Sequence, residues 1–156
     1  MNEKEQLERE KVIEVAKTWL GTGYHHMGRI KGAGADCLTL LAEVYFEAGL
    51  IPKIQIPHYP HDWHLHRSEE KYLKGLLNYT KEIEKPEKGD IVLWKFGRCF
   101  SHGAIVIDWP QVIHSYTGRG CTYEDAEAAQ FLKKVGENTE NNGQLRPHKF
   151  FSFWNK

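Results

Sequence analysis

The 156-residue chain has three cysteines, Cys37, Cys99 and Cys121, and no CxxC pair among them. An odd and dispersed count argues against a disulfide framework and against a thiolate zinc site, and it leaves at least one thiol free. Net charge is missing as well, since 21 Lys plus Arg balance 21 Asp plus Glu. That balance disfavours nucleic acid or an anionic membrane as the main partner. No segment approaches the ~18 consecutive apolar residues of a membrane span. The charged opening MNEKEQLEREKVIE lacks the apolar core of a secretory signal, which predicts synthesis in the cytoplasm without a signal peptide. No internal repeat is visible. What is present is 40% apolar, 12% aromatic and 27% charged residues, the composition of one globular domain spanning residues 1–156.

Apolar residues at Leu7, Val12, Ile13, Ala16, Trp19 and Leu20 recur at helical spacing, predicting a helix over 6–20 with one buried stripe, a solvated charged face and a stop at Gly21. GTGYHHMGRIKGAG follows, with five glycines in fourteen residues, a loop of the permissive kind that often lines a site. Asp36 is placed to N-cap a helix over 37–48, stopped by Gly49 and Pro52. Residues 52–67 combine prolines and histidines and predict an irregular connection. A helix over 68–78 buries Leu73, Leu76 and Leu77. Strands are predicted at 90–94, 101–108 and 111–117, a short helix at 123–131, a polar loop at 136–143 and an aromatic terminal strand at 144–154. Helices followed by an antiparallel meander define an α+β fold.

Cys37 falls where a loop hands over to a helix, an unusual place for a packing cysteine. Thiolate is the nucleophile, and a thiol titrating near about 8.5 is helped toward the anion by a helix N-terminus or a nearby imidazole. The position of Cys37 supplies the first and predicts that it is the one fast-alkylating thiol. For the second, His102 and His114 are the candidates on strands. A three-residue loop 108–110 makes paired positions on these strands sum to 218, so His114 opposes Ala104 and lies diagonal to His102 on the same face. A thiol, a base and a residue orienting the base form a nucleophilic triad in the order Cys, His, His. The plain alternative is a small buried cysteine with two ordinary strand histidines.

WLGTGYHHMGRIKGAGADCLTLL, KPEKGDIVLWKF, SHGAIVID and VIHSYTGRGC, in this order and spacing, resemble the NlpC-like cell-wall cysteine peptidases, most closely their phage and prophage branch. The resemblance runs from about Trp19 to Cys121. It implies a papain-like α+β domain whose nucleophile starts a helix packed on an antiparallel sheet. It also implies hydrolysis of peptidoglycan stem peptides, typically between γ-D-glutamate and a diamino acid, without a cofactor or metal. Cys37 matches the nucleophile, His102 the general base and His114 the orienting residue. Asp36 matches an acidic residue that holds the free amine of the stem, and Tyr24 a tyrosine lying over the active site. The phage branch further implies phage tail proteins as partners and carriage to the wall by a virion. Two positions depart from the pattern: Leu38 and Thr39 stand where Ser-Gly is usual, and Gly23 stands where proline is common.

His58, His61, His64 and His66 are dense enough to suggest zinc, but a proline-broken connection orders ligands poorly and is read as a loop. His25 and His26 flank Tyr24 and are candidates for the cleft wall. Cys99 reads as a bystander thiol and Cys121 as a buried small hydrophobe. Two rivals to the peptidase reading stand: a thiol amidase or acyltransferase acting on another amide, and a non-catalytic phage tail assembly component.

Overall fold

The computed structural model describes residues 1–55, 68–96, 99–132 and 144–154, with the side chains of 68–72 and Cys99 outside the description. The four clustered histidines, the 136–143 loop and the bystander reading of Cys99 therefore lie outside the described residues. A six-stranded antiparallel sheet carries helices packed against it. Its strands, in spatial order, are β3 (Lys81–Ile83), β8 (His148–Ser152), β4 (Ile91–Phe96), β5 (Cys99–Asp108), β6 (Gln111–Tyr116) and β7 (Gly120–Asp125). A two-stranded ribbon, β1 (Arg29–Ile30) with β2 (Gly34–Ala35), lies within the glycine-rich stretch.

Helix α1 (Glu3–Thr18) is capped by Asn2, whose side chain accepts from Glu5 N. Val12, Val15, Ala16 and the following Trp19 are buried as helical spacing requires, but Leu7 is 60% exposed and Arg9 is fully buried. The expectation that Leu7 belongs to the buried stripe, and that the charges of this helix face only solvent, is corrected there. Arg9 is taken inside because Asp90, Ser152 and the Lys88 carbonyl wait for its guanidinium.

Helix α2 (Cys37–Glu47) is buried from Cys37 through Tyr45. Its all-round burial places it between α1 and the sheet, where it contacts β5 and β6. Helix α3 (Ser68–Leu77) buries Leu73 and Leu76 and half-buries Leu77. Alternation then sorts the sheet. Ile91, Leu93, Ile105, Ile113 and Cys121 pack with the helices, whereas Val92, Trp94, Ala104, Val106 and Val112 form a second core with Phe131 and Phe150.

Three expectations need revision. Residues 123–131 do not form a helix: β7 runs to Asp125, and only Ala129–Phe131 makes a 3-10 turn. The Gly118 turn folds 120–125 back on β6, with Tyr116↔Gly120 through Gln111↔Asp125 in register. Those ladder hydrogen bonds override the helical preference of Glu and Ala. The terminal strand is shorter than 144–154 and sits inside the sheet, between β3 and β4. Finally, the β5–β6 connection is a two-residue Trp109–Pro110 turn with an irregularity between Val106 and Asp108, rather than a three-residue loop. Ile105↔Ile113 and Val106↔Val112 nevertheless pair at the expected sum of 218.

Candidate active site

The start of α2 is fixed by its cap. Asp36 Oδ1 accepts from Leu38 N at 3.0 Å and Thr39 N at 2.9 Å, and Thr39 Oγ1 accepts from Asp36 N at 2.9 Å. This reciprocal arrangement is a capping box, of a kind that stabilises a helix start by about 1 kcal/mol. Thr39, one of the departures from the family pattern, thus has a local structural use. Asp36 Oδ2 takes a further hydrogen bond from Met27 N at 2.8 Å. That bond ties the glycine-rich loop to the helix where Met27 adopts a positive φ of 61°. The loop is pinned from its other end too. Cys121 N donates to Thr22 O at 2.7 Å, and Ser115 Oγ donates to Ala35 O at 2.7 Å. Gly120 is required at this crossing, because a Cβ there would lie 2.6 Å from the Thr22 carbonyl oxygen.

Cys37 is the first residue of α2 and only 7% exposed. Its approach to β5 depends on Gly103, where a Cβ would meet Leu41 Cδ1 at 2.7 Å. With that space open, Cys37 Sγ lies 3.7 Å from the Ser101 carbonyl, to which it donates. Among the described residues the β5–β6 ladder ends at Ile105↔Ile113, so Ser101 to Ala104 have no ladder partner on β6. The thiol therefore lies against β5 backbone at the point where β6 has departed.

His102 pairs with Trp94 across β4. The register places His102 and His114 on the face of the second core. Both are buried, His114 completely. His102 Nε2 and His114 Nδ1 are 2.8 Å apart, with the rings edge-to-face. Trp94, Tyr116 and Phe131 surround His102 at centroid distances of 5.4 to 5.9 Å. The rings thus share a face, as parity predicts, although the ladder stops just short of the Ala104–His114 pair. Cys37 Sγ makes no hydrogen bond to His102 among the described residues, its partner being Ser101 O.

Burial dominates the electrostatics. It pushes the Cys37 thiol up to about 12, with the Asp36 carboxylate adding to the rise and the Gly103, Cys37 and Leu38 N–H groups opposing it. The expectation that the helix N-terminus makes Cys37 a ready thiolate is therefore corrected: desolvation and the adjacent carboxylate outweigh the N–H groups. Burial likewise holds His102 well below the usual imidazole range, and the neighbouring His114 lowers it further. His114 is lowered to about 4 by burial, against the pull of Glu124. These directions favour a neutral thiol and two neutral imidazoles at neutral pH. Such a set is suited to general base chemistry, in which the proton leaves sulfur as a new bond forms, rather than to a standing ion pair.

Tyr24 is half-buried and bridges to Ala35 beside the thiol. Burial first, and then the charges of Cys37 and Asp36, push its hydroxyl up to about 12, against a hydrogen bond from Thr117. His26 Nδ1 lies 4.0 Å from Asp36 Oδ2, whereas His25 packs its Cβ against Gly34. Cys121 is buried at 2% exposure, as expected of a small hydrophobe. Among the described residues no group of three or more His, Cys, Asp or Glu is placed to hold a metal ion. Sequence reasoning missed Glu124, whose Oε2 lies 3.7 Å from His114 Nε2. The alternation through Gly120–Asp125 after the Gly118 turn was the available signal.

A helix-borne thiol against an antiparallel sheet is the papain-like α+β arrangement. The chain belongs to the NlpC/P60 family, whose family model matches residues 21–139. It is similar in structure to the NlpC/p60 domain of the peptidoglycan hydrolase SagA, with 18% identity, a TM-score of 0.52, and 76% of this chain and 89% of that one covered. The peptidoglycan hydrolase RipB from Mycobacterium tuberculosis matches at 18% identity and a TM-score of 0.54, covering 83% of this chain and 64% of that one. An NLP/P60 family protein similar to lipoprotein from Staphylococcus aureus matches at 19% identity and a TM-score of 0.55, covering 83% of this chain and 39% of that one. The chain thus spans well under half the length of some of the structures it matches. No curated protein matches it.

Proposed function

We propose that the protein is a cysteine peptidase that hydrolyses peptidoglycan stem peptides, at the bond between γ-D-glutamate and a diamino acid. The observation that carries this reading is the 2.8 Å contact of His114 with His102, the latter on β5, the strand against which Cys37 is laid. In the reaction, Cys37 Sγ attacks the amide carbonyl while its proton passes to His102 Nδ1, the ring nitrogen not engaged by His114. Collapse of the tetrahedral adduct breaks the C–N bond, and the same imidazole returns the proton to the departing amine. Water, deprotonated by His102, then cleaves the thioester. His114 holds the base in place. Membership of the NlpC/P60 family and the description of SagA and RipB as peptidoglycan hydrolases support cell wall as the substrate. Asp36 and Tyr24, beside the thiol, are the groups this reading assigns to the stem, Asp36 toward its free amine. Carriage to the wall by a virion belongs to the same proposal, and the protein's presence in purified particles would support it.

The test is mass spectrometry of muropeptides digested by the purified protein. The expected products carry a new γ-D-glutamate carboxyl terminus and a new amine on the diamino acid. Cys37→Ala removes the nucleophile and little volume, and its digest should match a no-enzyme control while the variant keeps its fold. Cleavage at another amide would favour the amidase or acyltransferase alternative. Unchanged cleavage by Cys37→Ala would remove the thiol from the mechanism.

A further inference from the structure

His114 Nε2 is buried and has no hydrogen-bond partner among the described residues. A buried polar nitrogen is seldom left so, and each such case asks for a reason. The nearest charged group is Glu124, whose Oε2 lies 3.7 Å away, longer than a formed hydrogen bond. Glu124 is itself mostly buried and ion-paired to the half-exposed Arg119. The register makes this approach systematic. His114 pairs with Thr122 and Val112 with Glu124, so Glu124 lies one diagonal step from His114 on the same face. On the other side His102 meets His114 Nδ1 at 2.8 Å. The three residues thus form one row across β5, β6 and β7.

We propose that Glu124 is a positioning residue, whose carboxylate keeps the proton of His114 on Nε2 and thereby fixes the tautomers of both imidazoles. This inference rests on the reading of Cys37 and His102 as nucleophile and base. Two neutral rings joined by one N···N contact share one proton in it, and two arrangements satisfy that contact equally. In one, His102 Nε2–H donates to His114 Nδ1, which leaves His102 Nδ1 with a free lone pair. In the other, His114 Nδ1–H donates to His102 Nε2, and His102 carries its proton on Nδ1. Only the first can take a proton from the thiol. The contact alone does not choose between them. A carboxylate facing His114 Nε2 does, because an N–H directed at it is attracted and a lone pair is repelled. Burial, which holds both rings neutral at neutral pH, makes the choice of tautomer the relevant state. Arg119 pairs with Glu124 and so holds its carboxylate at this end of the row.

The decisive measurement is imidazole nitrogen NMR on histidine-labelled protein at neutral pH, beside steady-state kinetics. The expected spectrum shows Nε2 protonated and Nδ1 bare on both His102 and His114. Glu124→Ala should populate the Nδ1–H form of His114 and lower kcat about tenfold with KM within about twofold, a fraction of what general acid–base catalysis supplies. Glu124→Gln keeps an acceptor oxygen and should retain the wild-type tautomer, with no more than about a threefold loss. Wild-type protein with the His114 proton on Nδ1 overturns the proposal, as does Glu124→Ala with wild-type spectra and rate. Failure of the wild-type protein to cleave any muropeptide would instead sink the peptidase reading, and the spectra would still decide whether Glu124 sets the tautomers.

Discussion

Two buried polar clusters are held by this fold, and they are finished to different degrees. Around Arg9 every direction is answered. Its guanidinium bonds Glu5, Asp90, Ser152 and the Lys88 carbonyl and stacks on Trp154 with Cζ 4.1 Å from the ring centroid. Around His102 and His114 one contact of 2.8 Å joins the rings, aromatic side chains supply the walls, and His114 Nε2 has no hydrogen bond among the described residues. A cluster that closes all its hydrogen bonds holds elements together. One that leaves a nitrogen open keeps part of its hydrogen-bonding capacity uncommitted, and such a group calls for a reason other than holding elements together.

The comparison breaks most sharply at His102. If the open cluster is the catalytic one, His102→Ala should lower kcat/KM by roughly a thousandfold or more, the scale of a lost general base, with little change in melting temperature. His114→Ala should keep a measurable rate, and His114→Asn should recover part of the loss, since the amide offers a hydrogen bond from nearly the same place. Equal losses in His102→Ala and His114→Ala would give the two rings one shared role.

At the closed cluster the expected effect moves from rate to stability. Arg9→Ala leaves Asp90 buried without its cationic partner, a change that costs about 3–5 kcal/mol. Chemical denaturation should show that loss, whereas kcat of the folded fraction should hold. A variant of unchanged stability and reduced kcat would move Arg9 into the site.

The effects of pH are spread over a window rather than set at one step. Both imidazoles have folded values below the unfolded value of about 6.5, His114 at about 4. Their contribution to stability is thus present above about 6.5 and is lost as pH falls through the folded values. Over that window stability should fall by up to about 1.4 kcal/mol per pH unit per imidazole, with a shallower slope in His114→Asn. The raised thiol has the opposite consequence at the alkaline end. Iodoacetamide should label Cys37 slowly at neutral pH, more slowly than free cysteine, and faster as pH climbs toward about 12. Rapid labelling at neutral pH would show a thiolate–imidazolium pair instead.

Local signals carried much of the architecture. Asp36 before an apolar helix predicts the cap and so the position of Cys37, and the capping hydrogen bonds are there. Strand parity predicts that His102 and His114 share a face, because side-chain period two survives a changed turn: Ile105↔Ile113 keeps the sum of 218 even though the loop is shorter than expected. Parity could not predict that the ladder ends at that pair. It is silent, too, on β7, where Glu and Ala suggested a helix and pairing with β6 made a strand. Missing that strand hid Glu124.

By itself the sequence determined which residues start and stop elements and which alternate, since capping and side-chain period depend on neighbours a few positions away. It placed the thiol at a helix start and the imidazoles on one face. Only the tertiary structure decided what each of them experiences. Leu7 lies outside and Arg9 inside because Asp90 and Ser152, 81 and 143 residues further on, answer the guanidinium. The Cys37 thiol is pushed up for the same kind of reason. The charge a group carries is set by water excluded and dipoles brought near, and those come from the packing of α2 against β5.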